Sequence, residues 1–260
     1  MLFSKIFKGF NKSPQESVSE GYFYNNLYMI DNLSDKDKFD NILSFAKEII
    51  DFPINEGIKE HPILDFIRII GRRLQSDYMG YLLYSGESRN KFSDLDARNV
   101  LFDISDSVLD ENNNYIKIDK LIEIKHDNKP TINLSRDLVL PWPWHRTRIK
   151  DSILNIGEGR SWGKWKQDYY NHWLNVWLPM GIAWVGGGNH SITVGIVQGG
   201  ELEPEYCSDI SRLYRYIKCD GEYFIDINSG RRLNKVKSPE FAAIFEIGRM
   251  MVDSNISFID

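Results

Sequence analysis

The stretch WVGGGNHSI, residues 184–192, sets three glycines beside an amide, an imidazole and a hydroxyl. Glycines let a backbone approach a bound group closely. If a helix begins here, its first N–H groups lack intrahelical partners, and the helix dipole favours an anion at that end. Asn189, His190 and Ser191 add side-chain donors at the same point. The expectation is a phosphate cradle built from Gly187, Gly188, Asn189 and Ser191. His190 would act as general acid or base, because imidazole titrates near neutral pH. The plainer alternative is a tight turn that Asn189 and Ser191 merely cap and in which His190 only makes a loop hydrogen bond.

A second constellation lies upstream in LPWPWHRTRIKDSILNIGEGRSWGKW, residues 140–165. Two prolines fix an extended approach, and His145, Arg146 and Arg148 follow. Arginine offers a planar fork to phosphate, so Arg146, Arg148 and Arg160 are candidate phosphate ligands. Glu158 in GEGR is a second catalytic candidate, positioning a water or a metal such as Mg2+; its alternative is an ion pair on an exposed turn. Asp168, Asn171 and His172 are possible further metal ligands, at a spacing that is not diagnostic. The serine-hydrolase word G-x-S-x-G and the Walker motif are both absent.

These residues need elements to hold them. WLPMGIAWV reads as a buried strand that the glycines break. NHSITVGIVQGG reads as a helix ending at Gly199-Gly200, with a second strand as the rival because of its β-branched content. IKDSILNIG reads as a short amphipathic helix, with Ile149, Ile153 and Ile156 at helical spacing. All seven tryptophans fall between Trp142 and Trp184, several with polar neighbours, which suits a ligand-facing or partner-facing wall as well as a core.

Residues 22–85 read as helical, broken at Asp51-Phe52-Pro53 and reopened after His61-Pro62. Arg68, Arg72 and Arg73 lie on one helix, as a solvated face or an anion-binding one. Residues 86–114 read as loop. YIKIDKLIEI (115–124) alternates like a strand, and TINLSRDLVLPW is another extended stretch. RLYRYIKCDGEYFIDINSGRRL reads as a hairpin with further sheet. SPEFAAIFEIGRMMVD reads as a closing helix with Ser238 as N-cap and Pro239 in its first turn.

The order of an extended segment, a Pro-rich turn, an arginine, a short helix, a strand and then G-x-H-S resembles the nucleotide-binding core of the ParB/sulfiredoxin superfamily over residues 132–200. Gly188, Asn189, His190 and Ser191 stand in the first places of that family's second motif. Val194 and Gly195 take its small positions, and Gly199 its last. Asp151-Ser152-Ile153 and Gly157 resemble the preceding helix, and Arg146 resembles the first motif's arginine. The resemblance implies binding of a nucleotide or a nucleic-acid phosphate, with nucleotidase, nuclease or phosphotransferase chemistry among the possibilities. It departs from the family at Ser191, where arginine is usual, which removes one phosphate contact. Asn189 stands where sulfiredoxin has its reactive cysteine, so peroxiredoxin repair is not expected. Nor does a helix-turn-helix follow, so chromosome partitioning is not expected. The words PWHR, GEGR and GGNHS also resemble an uncharacterised bacterial family, for which antiviral defence or toxin activity is an expectation by analogy.

Composition frames these readings. The chain has 260 residues, 42% hydrophobic and 27% charged, with a formal charge of −5. That is enough apolar content for a core and too mild a charge to advertise nucleic acid. No apolar run is long enough for a membrane span. MLFSKIFKGFNKSPQ makes a poor signal peptide and reads as a frayed terminus or a short amphipathic helix. Two cysteines without metal spacing suit reduced thiols in a cytoplasmic protein. The expected fold is α+β. A mostly helical region, 1–110, packs on a ParB/sulfiredoxin-like core, 111–260, closed by a small β extension and a helix. The expected function is a phosphoryl-transferring or phosphate-ester-hydrolysing enzyme. The alternative is a non-catalytic nucleotide sensor, or a subunit that uses its tryptophan-rich surface to bind a protein partner or a second copy of itself.

Overall fold

The computed structural model describes residues 33–55, 57–89 and 95–259. The amino-terminal stretch read above as frayed or amphipathic, and the first part of the helical reading, 22–32, lie outside these residues. Among the described residues three helices come first: α1 (Asp35–Ile50), α2 (Ile63–Tyr84) and the single turn α3 (Ala97–Val100). Short strands follow: β1 (Ser107–Leu109), β2 (Tyr115–Lys117), β3 (Glu123–Lys125), β4 (Ile132–Asn133) and β5 (Val139–Leu140). Then come α4 (Arg146–Asn155), β6 (Trp173–Leu178), β7 (Ile182–Gly187) and α5 (Asn189–Gln198). The chain closes with β8 (Glu201–Leu202), β9 (Tyr206–Asp209), β10 (Ile217–Cys219), β11 (Tyr223–Asp226), β12 (Arg232–Lys235) and α6 (Pro239–Asp253). The protein is α+β. Among the described residues no helix is long and apolar enough to cross a membrane.

The alternation in β7 explains the layering. Ile182 and Trp184 face one hydrophobic core, and Ala183 and Val185 face another, as the two-residue period of a strand requires. β7 belongs to a five-stranded sheet of order β3-β9-β6-β7-β5, in which β6 runs antiparallel to β7 and parallel to β9, and β5 runs parallel to β7. On one face lie α2 and α6, contributing Ile63, Leu64, Ile67, Phe241 and Phe245, with α1 packed against α6. On the other lie α4 and α5, through Ile149, Ile192 and Val194. The strands β10-β11-β12 form a separate antiparallel sheet whose Phe224 joins the first core.

Several sequence readings change. WLPMGIAWV is two strands, not one: the chain turns at Pro179-Met180-Gly181, where proline offers no ladder N–H and Gly181 has φ +73°. Residues 115–124 are broken by a 3-10 turn, Ile118–Leu121, because Ile118 and Leu121 must be buried on one side three residues apart. The loop reading of 86–114 misses α3 and β1. Of the helical arginines, Arg68 is neither solvated nor free for an anion. It is buried and paired with Glu60 at 2.6 Å, Asp65 at 2.8 Å and Asp137 at 2.9 Å. Asp137 also accepts the Asn133 N–H, so this network fixes the turn that delivers β5 to the sheet. Residues on both sides of position 110 share the first core, from Phe39 on α1 to Phe245 on α6.

Candidate functional site

Two helix starts meet at one cleft. α5 begins as read from the glycines: Gly188 sits in the left-handed region at φ 74°, no side chain caps the helix, and the first intrahelical bond runs from Ile192 N–H to Gly188 O. The N–H groups of Asn189, His190 and Ser191 thus have no partner among the described residues. α4 begins three residues earlier than its isoleucine pattern suggests. His145 is its N-cap, with Nδ1 accepting the Thr147 N–H at 3.2 Å.

The polar trio is wired to this second start. The Asn189 Oδ1 accepts the Trp142 N–H at 2.8 Å. The backbone donor fixes the orientation of the amide and leaves Nδ2 as a donor lining the cleft. The His190 Nε2 accepts the His145 N–H at 3.2 Å. A neutral ring that accepts through Nε2 carries its proton on Nδ1. Burial, with help from Arg148 and His145, pushes the His190 pKa down to about 4, so the ring is neutral at physiological pH. Its basic lone pair is therefore already engaged by a backbone donor, which does not suit the expected general base.

Ser191 has a histidine neighbour, and the tautomer decides what that means. The His172 Nε2 lies 2.7 Å from the Ser191 Oγ. The His172 Nδ1 accepts the Asp168 N–H at 2.9 Å, so the ring proton must sit on Nε2. His172 donates to Ser191, and Ser191 donates onward to Gly188 O at 3.0 Å. The serine hydroxyl is held as a link and is not activated as a nucleophile. His172 is buried and stacked 5.1 Å from Trp165, with both nitrogens engaged, so it is not free to bind a metal.

The glycines serve packing more than ligand access. A Cβ on Gly187 would stand 2.6 Å from Asn171 O, and one on Gly188 would stand 2.2 Å from the His172 ring. The 171–173 segment packs against the Cα side of Gly187 and Gly188, and the cleft opens elsewhere along the same turn. Only Gly186 is both exposed and free of close neighbours on that side.

The cleft itself has a volume of about 430 Å3. Its walls are Trp142, Trp144 and Trp162, with Arg148, Asp151 and Ser152 from α4 opposite the 186–191 turn. Arg148 lies 5.0 Å over Trp144, and Arg89 lies 5.1 Å from the same ring. Of the residues expected to hold phosphate, Arg148, Gly187, Gly188, Asn189 and Ser191 line the cleft, as does His190. Glu158, Arg146 and Arg160 do not. Glu158 is exposed and pairs with Lys164 at 3.1 Å. Arg160 donates to the carbonyls of Ile153 at 2.7 Å and Ile156 at 2.6 Å, closing the end of α4 where the dipole favours a cation. Arg146 begins α4, and its N–H is tied to Ser88 O at 3.0 Å. Asp151 was not foreseen; its spacing from Arg148, three residues along one helix, was the available signal. No group of three His, Cys, Asp or Glu side chains able to hold a metal occurs among the described residues.

A family of unknown function, DUF6710, matches residues 26–258. The chain belongs to this family. The matched residues include every residue that lines the cleft. No curated protein and no solved structure matches the chain.

Proposed function

We propose that this DUF6710 protein binds a nucleotide through its phosphate, as the ParB/sulfiredoxin-like reading of the 132–200 segment also suggests. The observation that carries this reading is the donor set. The Asn189 amide and the His190 ring are each oriented by a backbone donor so that what remains is N–H. The three unpaired N–H groups of α5 and the Arg148 guanidinium complete a cleft rich in donors. Such a set suits an anion. Trp142, Trp144 and Trp162 supply aromatic surface for a base, and Asp151 supplies an acceptor for a base amino group. Any Mg2+ would arrive with the phosphates.

The geometry favours binding over turnover. His190, Ser191 and Glu158 are each committed elsewhere, which leaves Asp151 as the carboxylate of the cleft if hydrolysis or phosphoryl transfer occurs. The test is thermal unfolding with ATP, CTP, GTP, UTP and inorganic phosphate, with and without Mg2+. Wild type should melt higher with a preferred nucleotide. Arg148→Ala, an exposed change, should weaken that nucleotide by about 10-fold or more, because charged hydrogen bonds are worth about 1.5–3 kcal/mol. No shift with any ligand would sink the reading, and product analysis of the same samples separates hydrolase from sensor.

A further inference from the structure

We propose that the ligand is a single-stranded oligonucleotide lying across two adjoining clefts, an inference that rests on the nucleotide-binding reading of the first. A second cleft of about 500 Å3 adjoins the one described. Trp162, Asn171 and Ser191 line both. Each cleft alone has the size of a small-ligand site, for which about 300–1,000 Å3 is usual. Two such sites that share Trp162, Asn171 and Ser191 suit a ligand with repeating units.

Trp162 is built as a platform. Its backbone N–H donates to Asn155 O at 2.8 Å, fixing the loop to α4, yet its side chain is 61% exposed. A held, exposed indole is a surface on which a base can stack, whatever its identity. Tyr169, Tyr170 and Trp173 are also exposed on the segment that closes the second cleft, and Tyr170 is 94% exposed. Both clefts carry positive charge. Arg148 lies in the first cleft, and Lys164 and Lys166 lie in the second. Among the described residues Lys164 pairs with Glu158 alone, an exposed contact that a phosphate can displace. Each cleft also carries one carboxylate, Asp151 or Asp168, able to accept from base amino groups. Balanced charge with fixed aromatics fits a strand recognised by its bases, and it does not fit duplex held by its phosphates alone.

The experiment is fluorescence anisotropy with 5′-labelled (dA)6, competed by dAMP and by a hairpin duplex, on wild type and on Lys166→Ala and Trp162→Ala. Both side chains are exposed, so both variants should melt as wild type does. The hexanucleotide should bind at least 10-fold more tightly than dAMP and than the duplex. Lys166→Ala should weaken (dA)6 several-fold and leave dAMP unchanged, because Lys166 lies only in the second cleft. Trp162→Ala should weaken (dA)6 by about 10-fold, the size of one lost stack. If dAMP binds as tightly as (dA)6 and Lys166→Ala changes neither, the two-cleft proposal is overturned and the mononucleotide site stands. Equal binding of duplex and single strand also overturns it. If neither dAMP nor (dA)6 binds, the first cleft fails as a nucleotide site and this proposal fails with it.

Discussion

Three histidines near one cleft do three different jobs, and the hydrogen bonds to their rings distinguish them. His145 caps α4, His190 receives the His145 N–H, and His172 donates its Nε2–H to Ser191. For His190 the folded pKa of about 4 lies below the ordinary 6.5. Between those values the unfolded chain binds the proton and the folded chain does not. Its contribution to stability is therefore complete above about pH 6.5 and is lost progressively as pH falls toward 4. The His190 ring should titrate near pH 4 by NMR, and denaturant midpoints should fall across the same window; a ring titrating near 6.5 would contradict the half-buried acceptor role. Ser191 should resist fluorophosphonate labelling at neutral pH. The types of these residues were legible in the sequence, but their roles were not. A role depends on which nitrogen meets a backbone donor, and the His172–Ser191 contact joins positions 19 apart in the chain.

At the scale of elements, the helix boundaries follow the capping residues. Ser238 and Pro239 start α6 as read, the helix after the glycines exists, and its end falls at Gly199. Strand readings failed where the chain had to turn inside an apolar run, at Pro179-Met180-Gly181 and at Ile118–Leu121, because hydrophobicity alone does not reveal which face each residue must reach. GEGR illustrates the same limit. Its arginine serves a helix end and its glutamate a surface pair, so a motif that looked chemical is architectural. Arg160→Ala should lower stability by about 1 kcal/mol, as loss of a helix cap does. It should leave the nucleotide dissociation constant unchanged. A large loss of affinity without a fall in melting temperature would return Arg160 to the site.

At the scale of the molecule, the fold class was legible from composition and periodicity, while the boundary at residue 110 does not separate two cores. Phe39, Ile63, Leu64 and Ile67 are buried in the same cluster as Phe241, Ile244, Phe245 and Ile247. A fragment of residues 111–260 would expose the helix face that these side chains cover. It should show no cooperative melting transition, and adding residues 1–110 in trans should restore one; a sharp transition in the fragment alone would refute the shared core. The seating of α1 on α6 also bears on synthesis. The ribosome finishes α1 nearly two hundred residues before α6 begins. At about 5–20 residues per second, its apolar face waits roughly 10–40 s for its permanent partner. Until then α2, whose Phe66 ring lies 5.1 Å from that of Phe45, is the first helix able to meet α1.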